Sequence, residues 1–282
     1  MTSVDSNRAG VAKYGNFANY YFHNPPAERM RHLPRDLFAK LSSAESTPIA
    51  CDLGANDGTL TKAMQEHFEG SVALCGVDID PVLIERAQEQ YGSDRLVFDT
   101  LDLVVDVAEN KVETPVKQEA VSVDLIDTIT LTEAELEADA QTVEALQRHA
   151  LALSNGTQER FHCVFGFGLT MWIHVNKGTR GLLRFLRILT QVTDAVVLEP
   201  QPWKCYKSAR KRHKKNKVPQ AQWPRFLRHV PSQPDVESHI AELCCAVLEH
   251  CRRNRSDNVN GAVCTSTVLG HTIWERNIYL IR

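Results

Sequence analysis

A chain of 282 residues that is 43% hydrophobic and 24% charged has the make-up of a folded protein with one large buried core, which excludes a disordered or fibrous chain. Its formal net charge of −3 supplies no overall field to draw a polyanion, so any nucleic-acid surface must come from local clustering of basic side chains. The start of the chain lacks the basic-then-apolar pattern of a secretory signal, no run reaches the length of a membrane span, and the eight cysteines sit mostly within apolar runs without C-x-x-C pairing, the usage expected of reduced thiols in a cytoplasmic enzyme.

In chain order, residues 1–48 read as an N-terminal flap and a lead-in helix. Tyr14 to Tyr21 (YGNFANYY) is too polar for a core strand and too aromatic for a linker, and is expected to cover something. Leu33, Leu37, Phe38 and Leu41 fall at near-helical spacing behind Pro34, which predicts a helix over 32–41. From Ile49 the pattern repeats as strand, loop and helix: IACDL, the GANDG turn, a helix from Thr59 to about Phe68, the buried strand VALCGVD, and a helix over Val82–Gln90 opened by Pro81. Strands follow at Leu96–Leu101, Val164–Leu169 and Ala195–Leu198, with an amphipathic helix at Leu182–Leu189. A helix around Ile240–His250 and the apolar runs AVCTSTVL and IYLI close the chain. This alternation predicts one α/β domain over 49–282, a doubly wound, mostly parallel seven-stranded sheet covered on both faces.

One segment breaks the rhythm. From Asp102 to Glu144 there are twelve acidic residues against only Lys111 and Lys117. We read it as part of an acidic insertion at about 103–160, a solvated loop, because such charge density opposes burial. Cys244, Cys245, His250 and Cys251 match no common zinc spacing, and no metal site is expected.

The informative motif is Asp52-Leu53-Gly54-Ala55-Asn56-Asp57-Gly58 between strand and helix. Glycines at a strand-to-helix turn let a ligand approach the backbone, and the helix start offers free N–H groups. The spacing is not the G-x-G-x-x-G of a dinucleotide fold, which leaves a nicotinamide dehydrogenase unsupported. An acid before the first glycine suits a ligand with a cationic amino-acid end, such as S-adenosylmethionine. Asp78, at the end of the second strand, stands where an acid reaches the ribose hydroxyls of a nucleoside. Asp102 closes the third strand, where it either contacts the base or simply caps the strand.

At the ends of the fourth and fifth strands lie GFGLTMWIH (Gly166–His174) and LEPQPWKCY (Leu198–Tyr206), read as loops on the edge where ligands of open α/β sheets bind. His174, Lys204 and Tyr206 are the candidates to orient a substrate phosphate, with Tyr14 and Tyr20 from the flap. Trp172 and Trp203 are available to stack a base, with Gln201 in the second loop and Lys207 directly after it as further substrate contacts. From Lys204 to Lys217, eight Lys/Arg residues occupy fourteen positions, with Trp223 beyond. Beside the substrate loops, this run reads as an RNA-backbone surface.

Six stretches carry a resemblance: YGNF, PPAERMRHLP (Pro25–Pro34), DLGANDG, VDIDPVLI, LTMWIHVN (Leu169–Asn176) and LEPQPWKCYK (Leu198–Lys207). Together they resemble the bicoid-interacting-protein methyltransferases, over most of the chain, and the last is highly specific to that family. The resemblance implies a class I, S-adenosylmethionine-dependent O-methyltransferase acting on the 5′-monophosphate of RNA, with histidine tRNA and microRNA precursors as substrates. It also implies that Arg29 pairs with the cofactor carboxylate, that Gly54 and Asn56 line its methionine end, and that Asp78 holds the ribose; Asp52 and Ile79 are further candidates for the cofactor site. Asp102 and Leu103 would flank the adenine, and Phe167 would pack near the methionine part. Two other readings stay open from the residues alone: a methyltransferase for a small phosphorylated or carboxylate metabolite, and a non-catalytic RNA-binding protein that kept the fold.

Overall fold

The computed structural model of the chain describes residues 14–15, 20–42, 47–107, 122–215, 233–253 and 263–282. Asn16 and Phe17 of the flap, Lys111 and Lys117 of the acidic segment, and Lys217 and Trp223 of the basic region lie outside these. The described strands are β1 (Ile49–Leu53), β2 (Ala73–Asp78), β3 (Leu96–Thr100), β4 (Cys163–Phe167), β5 (Val196–Glu199), β6 (Ser266–His271) and β7 (Asn277–Ile281). They form one seven-stranded sheet in the order β3-β2-β1-β4-β5-β7-β6. The first five run parallel, while β7 is antiparallel to β5 and to β6. This is the doubly wound arrangement expected, with a reversed hairpin at one edge.

The helices are α1 (Tyr20–His23), α2 (Pro26–Met30), α3 (Thr59–His67), α4 (Pro81–Tyr91), α5 (Leu125–Thr128), α6 (Glu133–Leu153), α7 (Thr170–Val192), α8 (Trp203–Lys215) and α9 (Val236–Arg253). The pleat divides the core in two. Ile49, Cys51 and Leu53 face the layer that includes Leu146 of α6, Leu186 of α7 and Leu243 of α9. Ala50 faces the other layer, with Met30 of α2, Met64 of α3 and Ile84 of α4. All five β1 side chains are buried, as a central parallel strand requires when both faces are covered.

Three expectations are corrected. Residues 32–41 hold no α-helix: the first regular helix is the shorter α2, and the apolar spacing is met by turns and one 3-10 turn at Phe38–Lys40. The motifs read as loops after β4 and β5 are helical, since α7 begins at Thr170 and α8 at Trp203. The first of these helices is broken at Gly178 (φ 70°, ψ −176°), so Met171–Lys177 and Leu182–Leu189 belong to two helical pieces.

The third correction concerns the acidic segment, much of which is the ordered 21-residue helix α6. Thr132 and Glu135 close a reciprocal capping box at its start, and Val143, Leu146 and Ala150 bury against the sheet. Acidic residues tolerate this because α7 supplies cations. Arg180 pairs with buried Glu135, and Arg184, itself 3% exposed, grips Asp139 through contacts of 2.6, 2.9 and 3.2 Å. The sequence pattern reported charge density, but the partners lie 45 positions downstream.

Candidate functional site

A crevice runs along the carboxyl ends of β1, β2, β3 and β4. Asp78, Ile79, Asp102, Leu103 and Lys177 line one lobe. Tyr20, Tyr21, Asn56, Phe167 and Gly168 line the other. Tyr14, Gly54, Asp78, Leu169 and Trp172 line both, so the two are one continuous groove.

Backbone geometry explains why the DLGANDG turn forms its floor. The N–H groups of Gly54 and Ala55 donate to the Val77 carbonyl at 2.8 and 3.0 Å, pinning the turn onto the end of β2. Gly58 is left-handed (φ 78°), and a Cβ there would stand 2.8 Å from the Ala87 methyl and 2.9 Å from the Phe98 ring. Only glycine lets α3 pack this closely on β3 and α4.

Asp78 is held by the same turn. Asn56 N–H donates to its Oδ2 at 2.9 Å and Asp80 N–H to its Oδ1 at 3.0 Å. Burial raises its pKa and these two amides oppose the rise. Each carboxylate oxygen can accept more than once, so both remain able to accept hydroxyl groups from the crevice side.

Asp102 both caps and lines. Its Oδ1 accepts from Val104 N–H at 3.1 Å, and its Oδ2 faces Lys177 Nζ at 3.4 Å. Lys177, which also pairs with Asp106 at 2.9 Å, escaped the sequence reading because nothing in its neighbourhood marks a lysine on α7 as facing the end of β3. Asp52 is a correction. It is 1% exposed, absent from the crevice wall, and accepts from the Thr61 hydroxyl at 2.7 Å. Burial pushes its pKa up to about 7, so it braces α3 against β1 beneath the turn.

Behind the groove wall formed by Tyr20, Phe167 and Gly168, and not itself lining it, Arg29 is fully buried on α2. Its Nε donates to Glu199 Oε2 at 2.7 Å and its Nη2 to the Tyr20 hydroxyl at 2.8 Å. Nη1 is buried and has no hydrogen-bond partner. The rings of Tyr20, Phe167 and Trp274 lie 5.2–5.6 Å from the guanidinium carbon. Glu199 was not among the expected site residues. Its place at the carboxyl end of β5 was the available signal.

Several expected substrate contacts are not in the groove. His174 and Tyr206 are buried and bond each other, Nδ1 to hydroxyl at 3.1 Å, and His174 Nε2 meets the Thr179 hydroxyl at 3.2 Å across the break in α7. They clasp α8 to α7 and orient no substrate directly. Gln201 is 3% exposed, accepts from Met171 N–H at 3.0 Å and donates to the Gly168 carbonyl, which ties the end of β4 to the start of α7. Trp203 stacks on Tyr206 at 5.2 Å. Lys204 is exposed and paired with Glu275, and Lys207 is exposed on α8. Neither lysine is on the crevice wall.

The clasp has a measurable consequence. Burial lowers the His174 pKa from 6.5 to about 3, so the folded protein keeps it neutral where the unfolded chain protonates. Its contribution is present above pH 6.5 and fades progressively as pH falls toward 3. Replacing His174 with Gln is expected to flatten the acid limb of a melting-temperature profile over that window. Tyr206→Phe is expected to cost about 0.5–1.5 kcal/mol at neutral pH by removing its buried hydrogen bond to His174, read by denaturant titration.

These groups fit S-adenosylmethionine. An amide-locked aspartate stands at the middle for ribose hydroxyls, Asp102 with Ile79 and Leu103 at one end for a base, and at the other end the Arg29 guanidinium, with a buried N–H that has no partner, lies just behind the wall residues Tyr20, Phe167 and Gly168, where it favours a carboxylate. Sheet order, turn and groove together define a class I S-adenosylmethionine-dependent methyltransferase.

The comparisons with known proteins narrow this. The family model for Bicoid-interacting protein 3 (Bin3) matches residues 161–281. The chain is similar to Pre-miRNA 5′-monophosphate methyltransferase of Xenopus laevis, 29% identical over 97% of this chain and 93% of the relative. It is also similar to RNA 5′-monophosphate methyltransferase of Rattus norvegicus, 30% identical over 98% and 84%, and to that of Homo sapiens, 32% identical over 73% and 64%. The chain belongs to the Bin3 family.

Proposed function

We propose that the chain transfers the methyl group of S-adenosylmethionine to a 5′-monophosphate oxygen of RNA, with microRNA precursors and histidine tRNA as the substrate classes and the cytoplasm as the place of action. The names of the relatives support the chemistry, and the resemblance in the six motifs supports the RNA classes. One observation carries the reading for this chain: Trp172, which walls both lobes of the groove, lies under the Arg212 guanidinium at 5.6 Å, on the basic helix α8. Helix α8 turns Tyr206 and Ala209 inward and Lys207, Lys211, Lys214 and Lys215 outward. A phosphate backbone laid along that face brings its 5′ end toward Trp172, and the first base has an aromatic ring to stack on.

A terminal phosphate monoester has its second pKa near about 6 and is largely dianionic at neutral pH. It is a ready nucleophile, so no general base is needed and alignment is the main task. The burial of His174 and Tyr206 is consistent with that. Tyr14, Tyr20 and Trp172 from the groove are the residues we assign to orienting the RNA end, and Lys204 and Lys207, exposed on α8 outside the groove wall, to holding the backbone that leads to it.

The test compares one RNA carrying a 5′-monophosphate, a 5′-triphosphate or a 5′-hydroxyl, incubated with the enzyme and cofactor labelled in the methyl group. The monophosphate is expected to take up label fastest and the hydroxyl to take up none. Equal labelling of the hydroxyl RNA would overturn the proposed nucleophile, and methylation of nucleoside monophosphates as fast as RNA would favour a small-metabolite enzyme. Affinity is expected to fall steeply with salt, and charge removal at Lys207 and Lys211 to lower the slope of log affinity against log salt by about one for each phosphate no longer neutralised.

A further inference from the structure

The buried charges at the methionine end of the groove do not balance, and the excess comes from a residue outside all six family motifs. Glu199 is fully buried and faces two arginines: Arg29 at 2.6 Å and Arg276 at 3.5 Å. Within ion-pair distance two guanidinium cations face a single carboxylate, with Asp52 and Glu237 acting on them only from further off, which leaves an excess of positive charge in a site nearly closed to water. Arg276 comes from the β6–β7 turn, anchored to α2 where Ile273 N–H donates to Glu28 at 2.8 Å. Trp274 of the same turn lies 5.2 Å from the Arg29 guanidinium carbon and 5.7 Å from that of Arg276. Both cations keep a buried N–H without a partner, Nη1 of Arg29 and Nε of Arg276.

The two arginines converge on one point of the groove wall. A Cβ built on Gly168 would lie 2.9 Å from the Tyr20 hydroxyl, 3.5 Å from Arg276 Nη1 and 3.6 Å from Arg29 Nη2. Gly168 itself lines the groove. The absence of a Cβ lets the groove backbone come up against all three polar groups.

With Glu199 and Arg29 alone, the subsite would be neutral and would offer a carboxylate little more than water does. Arg276 releases Arg29 from full neutralisation, which is what an unpaired buried N–H needs in order to attract an anion. We infer that Arg276 is a positioning residue that confers selectivity for the cofactor's carboxylate, making the methionine-end subsite cationic through its contact with Glu199. The inference rests on the assignment of the groove to S-adenosylmethionine and is independent of the RNA substrate.

The test is calorimetric and contains no RNA. S-adenosylhomocysteine and its decarboxylated analogue, which lacks only the carboxylate, are titrated into the wild-type protein and into Arg276→Met. The substitution is expected to weaken S-adenosylhomocysteine by roughly tenfold to a hundredfold, the usual effect of removing a charged hydrogen-bonding group, and to leave the analogue almost unchanged. Arg276→Lys is expected to fall between. Equal weakening of both ligands would reduce Arg276 to a packing role, and unchanged binding of both would remove it from the site; either result overturns the inference. Should Arg276→Met fail to fold, Arg276→Gln, of similar reach, carries the same comparison.

Discussion

Replacing Asp78 with Ala is expected to abolish measurable cofactor binding, a loss of about a hundredfold or more if two charge-assisted hydrogen bonds to ribose hydroxyls disappear. Methyl transfer should fall with it. Asp78 does two things at once: it presents its acceptors to the groove, and it holds the DLGANDG turn through the N–H of Asn56 at 2.9 Å. Substitution by Asn is not expected to rescue. Both carboxylate oxygens accept from backbone N–H groups, so in Asp78→Asn the side-chain amide nitrogen would point a donor at a donor. Titration of S-adenosylhomocysteine into folded Asp78→Ala and Asp78→Asn proteins decides the matter. Wild-type affinity in either variant would remove Asp78 from the cofactor site.

Replacing Arg184 with Ala is expected to destabilise the fold by about 3–5 kcal/mol, because it strands the buried Asp139 charge beneath α6. For a chain of this size that corresponds to a fall of roughly 6–20 °C in melting temperature. The hydrogen bond from Arg184 Nη1 to the Val105 carbonyl, at 3.0 Å, disappears as well. The pH dependence gives a second readout. Burial already raises the Asp139 pKa, and the Arg184 hydrogen bonds oppose that rise. Without Arg184 the folded-state pKa climbs further above the unfolded value. The penalty is then full above the raised folded pKa and vanishes below the unfolded one, so the gap to wild type should close as pH drops toward about 4. Arg184→Leu combined with Asp139→Leu is expected to recover most of the loss, as replacing both members of a buried pair by apolar groups often does. A melting temperature unchanged in Arg184→Ala would show that water or another cation satisfies Asp139.

Much of the groove wall was legible in the sequence. Gly54, Asp78, Ile79, Asp102 and Leu103 follow strands whose apolar runs end abruptly, and parallel strands of one sheet place their carboxyl ends on one edge. The substrate side was less legible. His174, Gln201 and Tyr206 were expected to face the substrate because they sit just past strand ends, yet all three are buried and tie neighbouring elements together. A strand end tells which edge a residue is near; it does not tell whether the side chain points into the groove or back beneath it. Helices α7 and α8 start soon after β4 and β5, and the way they pack turns these three inward.

By itself the sequence determined the sheet, its winding and the rim of acids and glycines on which a nucleoside can lie, because hydrophobic period and turn chemistry act within a few residues of their cause. The tertiary structure alone decided which buried charges meet. Arg29 finds Glu199 170 positions away, Arg276 joins them from the last hairpin, and the acids of α6 become core residues because α7 brings arginines to them. A buried charge is settled by the nearest opposite charge in space, and no local pattern records where the chain will return.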